Sequence, residues 1–345
     1  MSPKNGKSPK NMSTWGSGPT QFFFALGQEE VLRAMEVLGY QVTGFCYPLN
    51  SYENRVYEIE LESRAKIVAK FYRPGRWSRA QILEEHAFIA DLQNAEIPVS
   101  APVKIQGETL FRLPDQDLWY CVYEKHRGRM LGEVPGSAYR SLGTWIARLH
   151  NVGSSGVFRE RPSLSLETYG RAGLDTVLSS PLFPSEMRPT YEPLVRELLA
   201  TIEARFAGVP VHRIHGDCHL GNILWNDFEP LFVDFDDSLR GPAVQDLWLL
   251  LPGRDEHAVN MLREVAAGYA SLRDWQPSWS RLIEPLRALR LIHFQAWVLR
   301  RWEDPAFPRA FPQMLTPVHW REHYTDLQEI LLMIKGIESE PWVDI

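Results

Sequence analysis

The chain of 345 residues has only three cysteines, Cys46, Cys121 and Cys218. Their odd number and wide spacing argue against a disulfide framework and favour a reducing compartment. Long apolar runs are also missing, because none approaches the ~20 residues that a helix needs to cross a bilayer. The amino terminus lacks the apolar segment of a signal peptide. We therefore expect a cytoplasmic protein that is not a membrane component.

Blocks of one charge sign are scarce as well. The formal net charge is −6, and the lysines near the amino terminus, Lys4, Lys7 and Lys10, form only a sparse group. Duplex nucleic acid and anionic membranes attract dense clusters of Lys and Arg, so we expect neither as a partner. The hydrophobic content of 44% is ordinary for a soluble globular protein, and the length is sufficient for two domains.

The residue pattern divides the chain into three parts. Residues 1–19 are rich in Ser, Pro, Lys, Asn and Gly, which predicts a flexible tail. Residues 20–124 contain short β-rich segments around one helix, which predicts a small sheet-based lobe. In residues 125–345 apolar residues recur at helical spacing, except for a Ser-, Pro- and Gly-rich connection over 154–192. We expect an α+β fold with a β-rich first lobe and a larger helical second lobe.

The most informative segment is 215–222, with the sequence His-Gly-Asp-Cys-His-Leu-Gly-Asn. Two short apolar runs around a polar turn follow it and predict a β-hairpin. If Trp225 and Leu231 close this hairpin opposite each other, then Asn222 pairs with Asp234. Paired side chains share one face of a hairpin, with Cβ atoms about 5 Å apart. The spacing therefore predicts that an amide oxygen and a carboxylate converge.

These oxygen atoms suit Mg²⁺, which completes its octahedron with water and phosphate oxygens. Asp217, five residues before Asn222, lies on the loop that enters the hairpin and can act as a base for an attacking hydroxyl. Asp and Asn also cap turns without any catalytic role, but their joint spacing favours a phosphate-transfer site. We predict Asp217 and Asp234 as catalytic residues, with Asn222 and Asp234 as metal ligands.

A zinc site is an alternative interpretation of the same segment, since His212, His215, Cys218 and His219 lie close together in sequence. Structural zinc sites usually place paired ligands on separate turns with a longer connection, so this spacing is too cramped. Hydrogen bonds that stiffen the loop are the simpler role for His215 and His219.

Lys70 is predicted to lie on a strand, on the same face as Val68 and Tyr72. The following helix begins near Ser78, and the centre of its apolar stripe lies close to Glu85. A carboxylate buried in an apolar stripe needs a cationic partner. We therefore predict a Lys70–Glu85 pair that leaves the ammonium directed at phosphates. The alternative is a shallow stripe, with Lys70 as a solvated edge charge.

The motif His-Gly-Asp-x-His-x-x-Asn and the following Asp-Phe-Asp resemble those of the aminoglycoside phosphotransferase and choline kinase branch of the protein-kinase-like superfamily. More narrowly, the chain resembles the family of bacterial stress response kinases of the YihE type between about residues 25 and 335. The segments that carry this narrower resemblance are 48–57, 68–74, 81–86, 241–248 and 300–308.

The resemblance implies a bilobal protein-kinase-like fold and phosphorylation of Ser and Thr hydroxyls in proteins, with ATP and Mg²⁺ as cofactors. It implies activity in the cytoplasm, in envelope and oxidative stress responses. Asp217 would be the proton acceptor, Asn222 and Asp234 the magnesium ligands, and Lys70 the phosphate-binding lysine. Asp246 would tie the segment after Asp234 to the catalytic loop.

The nucleotide loop departs from the glycine-rich pattern of eukaryotic kinases, because residues 50–55 contain no glycine. Contacts with ATP would then depend on side chains such as Ser51 and Asn54. The strand at 120–124 stands where a kinase hinge would meet adenine, although an ordinary core strand explains the same residues. We expect a monomer that acts on protein substrates. Serines of the tail are candidates for autophosphorylation, but a plain disordered tail fits their composition equally well.

A small-molecule kinase is the main rival, since that branch shares the His-Gly-Asp motif. Acidic residues would favour a cationic acceptor, and Asp236, Asp237 and Glu303 are available for that role. The residues alone leave both readings open. A non-catalytic relative that only binds partners would be expected to lack at least one of the five residues assigned to phosphate transfer, and all five are present.

Overall fold

The computed structural model describes residues 18–113, 116–130, 136–226, 229–342 and 345. The predicted flexible tail over residues 1–19 therefore lies almost entirely outside the described residues. Contacts divide the chain into two compact units. The first unit runs up to Ala80 and includes Pro102–Lys125, and the second comprises Gln81–Ala101 and the chain from His126 onward.

An antiparallel sheet forms the first unit, and its described strands are arranged in the order β1-β2-β3-β5-β4. Helices α1 (Gly18–Ala25) and α2 (Gln28–Val37) precede the sheet. The strands are β1 (Val42–Leu49), β2 (Arg55–Leu61), β3 (Lys66–Phe71), β4 (Phe111–Arg112) and β5 (Trp119–Glu124). Alternation along β3 places Ile67, Ala69 and Phe71 in the core. Lys70 therefore lies on the opposite face, as its position in the strand predicts.

Helices dominate the second unit, and they begin with α3 (Arg79–Asn94), which straddles the boundary between the units. The others are α4 (Gly136–Ser154), α5 (Ala172–Ser179), α6 (Arg188–Phe206), α7 (Val244–Trp248), α8 (Glu256–Ala270), α9 (Ile283–Leu299), α10 (Ala306–Ala310) and α11 (Pro317–Ile334). Among the described residues, no helix is both long enough and apolar enough to span a membrane.

The second unit also contains short strands. The two-stranded sheet consists of β7 (His212–Ile214) and β10 (Leu239–Gly241). The three-stranded sheet has the order β6-β8-β9, with β6 (Arg129–Met130), β8 (Ile223–Trp225) and β9 (Pro230–Phe232). The mixture of a β-rich part and a helical part confirms the predicted α+β class.

Two segments differ from the sequence-based expectation. Residues 81–101, expected in the first lobe, group with the helical unit because Phe88 and Leu92 are buried in its core. The same segment also pairs with β9, since the Phe232 nitrogen donates to the Pro98 carbonyl at 2.9 Å. The predicted connection over 154–192 contains helix α5, which buries Leu174 and neighbouring apolar residues.

Candidate active site

The loop that carries Asp217 makes a tight turn at Gly216, which has a positive φ of 85°. A Cβ atom at this position would lie 2.3 Å from the Asp237 carbonyl oxygen. Left-handed backbone conformation and close approach of another backbone both favour glycine. Gly216 therefore lets the loop pack directly against the segment that follows Asp234.

Asp246 on α7 anchors this loop from beneath. Its fully buried carboxylate accepts hydrogen bonds from the backbone nitrogens of His215 and Gly216, both at 2.8 Å. His150 Nε2 lies 3.1 Å from the same carboxylate. Burial alone raises the pKa of Asp246, but the hydrogen bond from His150 and the backbone amides outweigh it and hold the pKa below its usual value. This is the tie to the catalytic loop that the resemblance implies.

The Asp217 side chain is 23% exposed and lies between two basic groups. Arg290 Nη1, on α9, is 2.8 Å from Oδ1, and His219 Nε2 is 3.5 Å from Oδ2. Burial raises the pKa of Asp217, but the His219 hydrogen bond and the Arg290 charge together hold it well below its usual range. Asp217 is therefore an ionised, accessible carboxylate that can accept a hydrogen bond from a hydroxyl group.

Sequence reasoning missed Arg290, which forms the closest ion pair of Asp217. The residue lies in the middle of a helix far along the chain from the catalytic loop. No local motif marks it, because an arginine on an amphipathic helix is an ordinary solvent-facing residue. Only the packing of α9 brings it to the loop.

The predicted register of the hairpin is wrong by one residue. Trp225 pairs with Pro230, and Leu231 pairs with the residue before Trp225. The Asn226 nitrogen donates to the Glu229 carbonyl at 3.2 Å, and the Glu229 nitrogen donates to Asn226 Oδ1 at 2.9 Å. These two bonds close the turn between Asn226 and Glu229, so Pro230 already belongs to the second strand. Local polarity predicts Pro230 as part of the turn, but the side-chain bond of Asn226 makes the turn shorter.

With this register Asn222 lies opposite Val233, whose nitrogen donates to the Asn222 carbonyl at 3.0 Å. The predicted pairing of Asn222 with Asp234 is therefore not formed. Asp234 follows the end of β9 with a left-handed φ of 60°, so the regular alternation of a strand no longer applies to its side chain. The proposed metal roles of these residues consequently stay predictions that rest on their position.

The donor atoms of this segment nevertheless fit a hard cation. Asn222 Nδ2 donates to the Asp217 carbonyl at 3.0 Å, which leaves Oδ1 as the ligand atom of the amide. Asp234 is an exposed residue. An amide oxygen and a carboxylate are the ligands that Mg²⁺ takes together with water and phosphate oxygens.

The histidines of the motif bind backbone groups. His215 Nε2 donates to the Val233 carbonyl at 3.0 Å, and His219 Nδ1 accepts from the Gly221 nitrogen at 3.0 Å. Burial lowers the pKa of His212 to about 3, and its Nδ1 lies 2.9 Å from the carbonyl of the next residue. Within the described ranges, no group of three or more His, Cys, Asp or Glu is arranged to hold a metal ion.

Glu85 on α3 is fully buried, as its position in the apolar stripe predicts. A cation of its own unit lies nearby, since Arg161 Nη1 is 3.4 Å from Glu85 Oε2. Arg161 is also fully buried, and its Nε donates to the Ser238 carbonyl at 2.7 Å. Sequence reasoning missed Arg161 because it lies in the expected connection. The Lys70–Glu85 pair stays a prediction.

Lys70 lies in the first unit and is only 5% exposed. Its backbone pairs with Cys121 of β5 and Val56 of β2, and its ammonium lies 5.1 Å from the centroid of the Tyr72 ring. Burial of an ammonium is costly without stabilising contacts. A lysine in this position is therefore not the solvated edge charge of the alternative interpretation.

The glycine-free loop of the first unit is held by Arg73, which the sequence analysis did not single out. Arg73 donates to the carbonyls of Tyr52 and Glu53 at 3.0 and 2.9 Å. Asn54 is buried, and its Oδ1 accepts from the Arg73 nitrogen at 3.2 Å. The Asn54 nitrogen lies 3.4 Å from Ser51 Oγ. The Asn54 side chain is thus bonded to the backbone of Arg73 within the first unit. The nucleotide contacts of Ser51 and Asn54 stay predictions.

Residues 47–284 match a family described as phosphotransferase enzymes. The chain belongs to the phosphotransferase enzyme family. It is therefore a phosphotransferase, and the motif around Asp217 lies within the matched residues.

Two relatives of higher identity point to a narrower group within this family. Stress response kinase A of Escherichia coli strain K12 is 40% identical over 299 residues, which cover 86% of this chain and 90% of the relative. The serine/threonine protein kinase RdoA of Salmonella typhimurium is 38% identical over 308 residues, or 89% of this chain and 93% of the relative. These matches confirm the resemblance to the bacterial stress response kinases.

Solved structures share the fold at lower identity. The amicoumacin kinase hAmiN, solved with AMP-PNP, Ca²⁺ and Ami, has a TM-score of 0.71 and 21% identity, and the match covers 92% of this chain and 96% of that one. A microcompartment-associated aminopropanol kinase has a TM-score of 0.67 and 17% identity, with 91% and 99% covered. These likenesses confirm the predicted kinase-like fold.

Proposed function

We propose that this phosphotransferase is an ATP- and Mg²⁺-dependent kinase that phosphorylates Ser and Thr hydroxyls of proteins. The observation that carries the proposal is the ionised, accessible carboxylate of Asp217, on a loop that Asp246 anchors. Protein as the acceptor is supported by the relatives at about 40% identity, one of which is named a serine/threonine protein kinase.

In the proposed reaction, Asp217 orients the acceptor hydroxyl and takes its proton as the new O–P bond forms. When bound, ATP with Mg²⁺ would supply the γ-phosphoryl group, whose bond to the ADP oxygen would break. Asn222 Oδ1 and the Asp234 carboxylate would hold the metal, and Lys70 would neutralise charge on the phosphates. Because the pKa of Asp217 is low, its main contribution is orientation, which suits a loose phosphoryl-transfer transition state.

The rival function is phosphorylation of a cationic small molecule. Of the acidic residues that would recognise such a substrate, Asp236 is only 3% exposed. The pocket beside Asp217 is lined by Arg254, Arg287 and Arg290. Arg254 and Arg290 are paired with Glu284 and Asp217, so Arg287 is the guanidinium that disfavours a cationic acceptor such as an aminoglycoside or an amino alcohol.

We further propose that the kinase acts in the cytoplasm as a monomer, without nucleic acid or membrane as a partner. The reducing compartment is supported by the three buried free cysteines. Autophosphorylation of the terminal serines belongs to the same proposal and is measurable in the same assay as transfer to a substrate protein.

The test is phosphate transfer from ATP and Mg²⁺ to a generic Ser- and Thr-containing protein by the wild type and by Asp217→Asn. We expect the variant to lose about 10²–10⁴-fold in rate, the usual contribution of a positioned base. Asp274→Asn, which changes an exposed aspartate of the same unit, is the matched control and should retain full activity. Equal rates for wild type and Asp217→Asn would refute the catalytic role.

A parallel screen with choline, homoserine and aminoglycosides separates the two acceptor classes. Efficient turnover of one of these, without any labelled protein, would support the small-molecule kinase instead.

A further inference from the structure

A pocket of about 540 Å³ lies in the second unit next to the catalytic loop. Helix α9 and the segment after α7 form most of its lining, and His219 contributes from the catalytic loop itself. The lining residues that matter for its chemistry are His219, Trp248, Arg254, Arg287, Arg290 and Phe294. Arg290 also contacts Asp217, so the pocket begins where an acceptor hydroxyl would have to lie.

The three arginines of the pocket differ in the hydrogen bonds and ion pairs that they form. Arg290 is paired with Asp217 at 2.8 Å. Arg254 binds the fully buried carboxylate of Glu284, with Nη2 at 2.8 Å from Oε2 and Nε at 3.1 Å from Oε1. Trp342 Nε1 donates to Glu284 Oε1 at 2.8 Å as well. The hydrogen-bonding capacity of Glu284 is therefore largely taken by groups other than Arg287.

Arg287 is the unsatisfied member of this set. Its Nε lies 3.4 Å from Glu284 Oε1 as an ion pair, and its guanidinium stacks 4.9 Å from the Trp248 ring centroid. Nε and Nη2 are buried and have no hydrogen-bond acceptor in the part of the chain that the structure describes. A buried donor without an acceptor costs about 1–3 kcal/mol, and more for a charged group. Arg287 therefore retains donor capacity that Arg254 and Arg290 use in their ion pairs.

An opposing carboxylate on the lining comes from Asp326 of α11, an exposed residue. It offsets one positive charge, but it belongs to a different helix from Arg287 and Arg290. Those two arginines lie three residues apart on α9, and side chains at this spacing share a helix face. Two guanidiniums on one face are the groups that bind carboxylates in proteins, and here they lie next to Asp217.

We propose that Arg287 and Arg290 bind an acidic side chain of the protein acceptor, next to the Ser or Thr that Asp217 engages. This inference rests on the proposed protein kinase function and names its substrate class, a peptide with Asp or Glu beside the acceptor hydroxyl. The Arg287 side chain is 18% exposed, and the carboxylate binds this exposed part of the guanidinium beside Arg290. The apolar lining, which includes Trp248 and Phe294, receives the rest of the peptide.

The first experiment compares two peptides that share the same central Ser. One has Asp and Glu beside the Ser, and the other has Asn and Gln at the same positions. We expect kcat/KM of the wild type to favour the acidic peptide by about tenfold, since one charge-assisted hydrogen bond contributes about that much. Arg287→Met should abolish the preference, and Arg287→Lys should retain part of it. Arg196→Met, at an exposed arginine on α6, is the matched control and should keep the full preference.

Arg287→Met removes the ion pair of Nε with Glu284, but the Glu284 carboxylate keeps its bonds from Arg254 and Trp342, and methionine can keep the contact with Trp248. We expect a small decrease of the unfolding midpoint in urea together with complete loss of the preference, and Arg287→Lys separates the loss of binding from the loss of stability. A wild type without any preference, or a preference that survives in both Arg287 variants, would overturn the inference.

The second experiment measures binding without catalysis, by fluorescence anisotropy of the acidic peptide with Ala in place of Ser. Binding by the wild type and about tenfold weaker binding by Arg287→Met would support the anion site even if no protein were phosphorylated, so that only the proposed function would fail. If the enzyme transfers phosphate to proteins but binds acidic and neutral peptides equally well, the proposed function stands and the acidic subsite is refuted.

Discussion

Asp246 Oδ1 accepts a hydrogen bond at 2.8 Å from the backbone nitrogen of Gly216, the residue directly before Asp217 in sequence. The other oxygen of Asp246 accepts from the nitrogen of His215 at the same distance. Two main-chain amides of the loop are thus attached to one buried side chain of α7. The position of Asp217 is consequently set by a fully buried residue.

Asp246→Asn should destabilise the protein and slow phosphate transfer. The amide replaces one acceptor oxygen with an NH₂ group that faces a backbone donor, so at least one buried hydrogen bond is lost. Removing one partner of a buried charged network typically costs about 3–5 kcal/mol. Urea unfolding measures the change in the free energy of unfolding, and the transfer assay measures the rate of phosphate transfer. Asp274→Asn is the control, and an Asp246 variant of unchanged stability would contradict this account.

Gly216→Ala should reduce activity strongly. The new Cβ would meet the Asp237 carbonyl at 2.3 Å, and the φ of 85° is unfavourable for alanine. The loop must shift, and a displacement of about 1 Å at a reacting group costs on the order of 10²-fold in rate. Gly253→Ala is the matched control, because a Cβ there has no neighbour within 4 Å and the backbone is not left-handed. Equal activity of the two variants would argue against a fixed loop geometry.

Lys70→Met should lower phosphate transfer without unfolding the first unit. Methionine fills a similar volume on β3 but cannot neutralise phosphate charge, and loss of one such electrostatic contact costs about 10²–10³-fold in rate. Kinetics at varied ATP concentration give the change in kcat and KM. Lys66→Met, on the exposed end of the same strand, removes a surface pair with Glu58 and a contact with the Phe45 ring, and it should be nearly silent. Full activity of Lys70→Met would exclude the assigned role.

The stability of the protein should fall in mild acid because of buried neutral histidines. Burial lowers the pKa of His323 to about 3, and the pKa of His212 is lowered to about 3 by burial as well. Between the unfolded value near 6.5 and about 3, the unfolded chain binds these protons and the folded protein does not. Each histidine therefore removes about 1.4 kcal/mol of stability per pH unit as the pH falls through this window.

Urea unfolding at a series of pH values tests this expectation. His323→Gln should reduce the slope of the unfolding free energy against pH by the contribution of one histidine. His257→Gln, at an exposed position, is the control and should leave this slope unchanged. A slope that is the same in wild type and His323→Gln would show that His323 takes up its proton equally in both states.

Much of the candidate site was predictable from local sequence. The period of two in β3 placed Lys70 on the face opposite the core, and the helical period of α3 placed Glu85 in a buried stripe. The spacing of the His-Gly-Asp motif identified the loop that Asp246 anchors. Short-range periodicity and turn chemistry decide such features, so a window of about ten residues contains the necessary information.

The hairpin shows where local reasoning reaches its limit. Its strands were predicted, but the register was wrong by one residue because the side chain of Asn226 closes the turn at Glu229. A shift of one residue moves every side chain to the other face of a strand, so Asn222 lies opposite Val233 instead of Asp234.

The sequence by itself determined the fold class and the phosphotransferase family, and it predicted the residues of the candidate site. Only the tertiary structure decided which distant side chains complete the site: Arg161 beside Glu85, and Arg290 beside Asp217. It also decided that Arg287 lines a pocket next to the catalytic loop. The physical reason is that burial of a charge requires a partner of opposite sign but leaves open which one, and helix packing makes that choice.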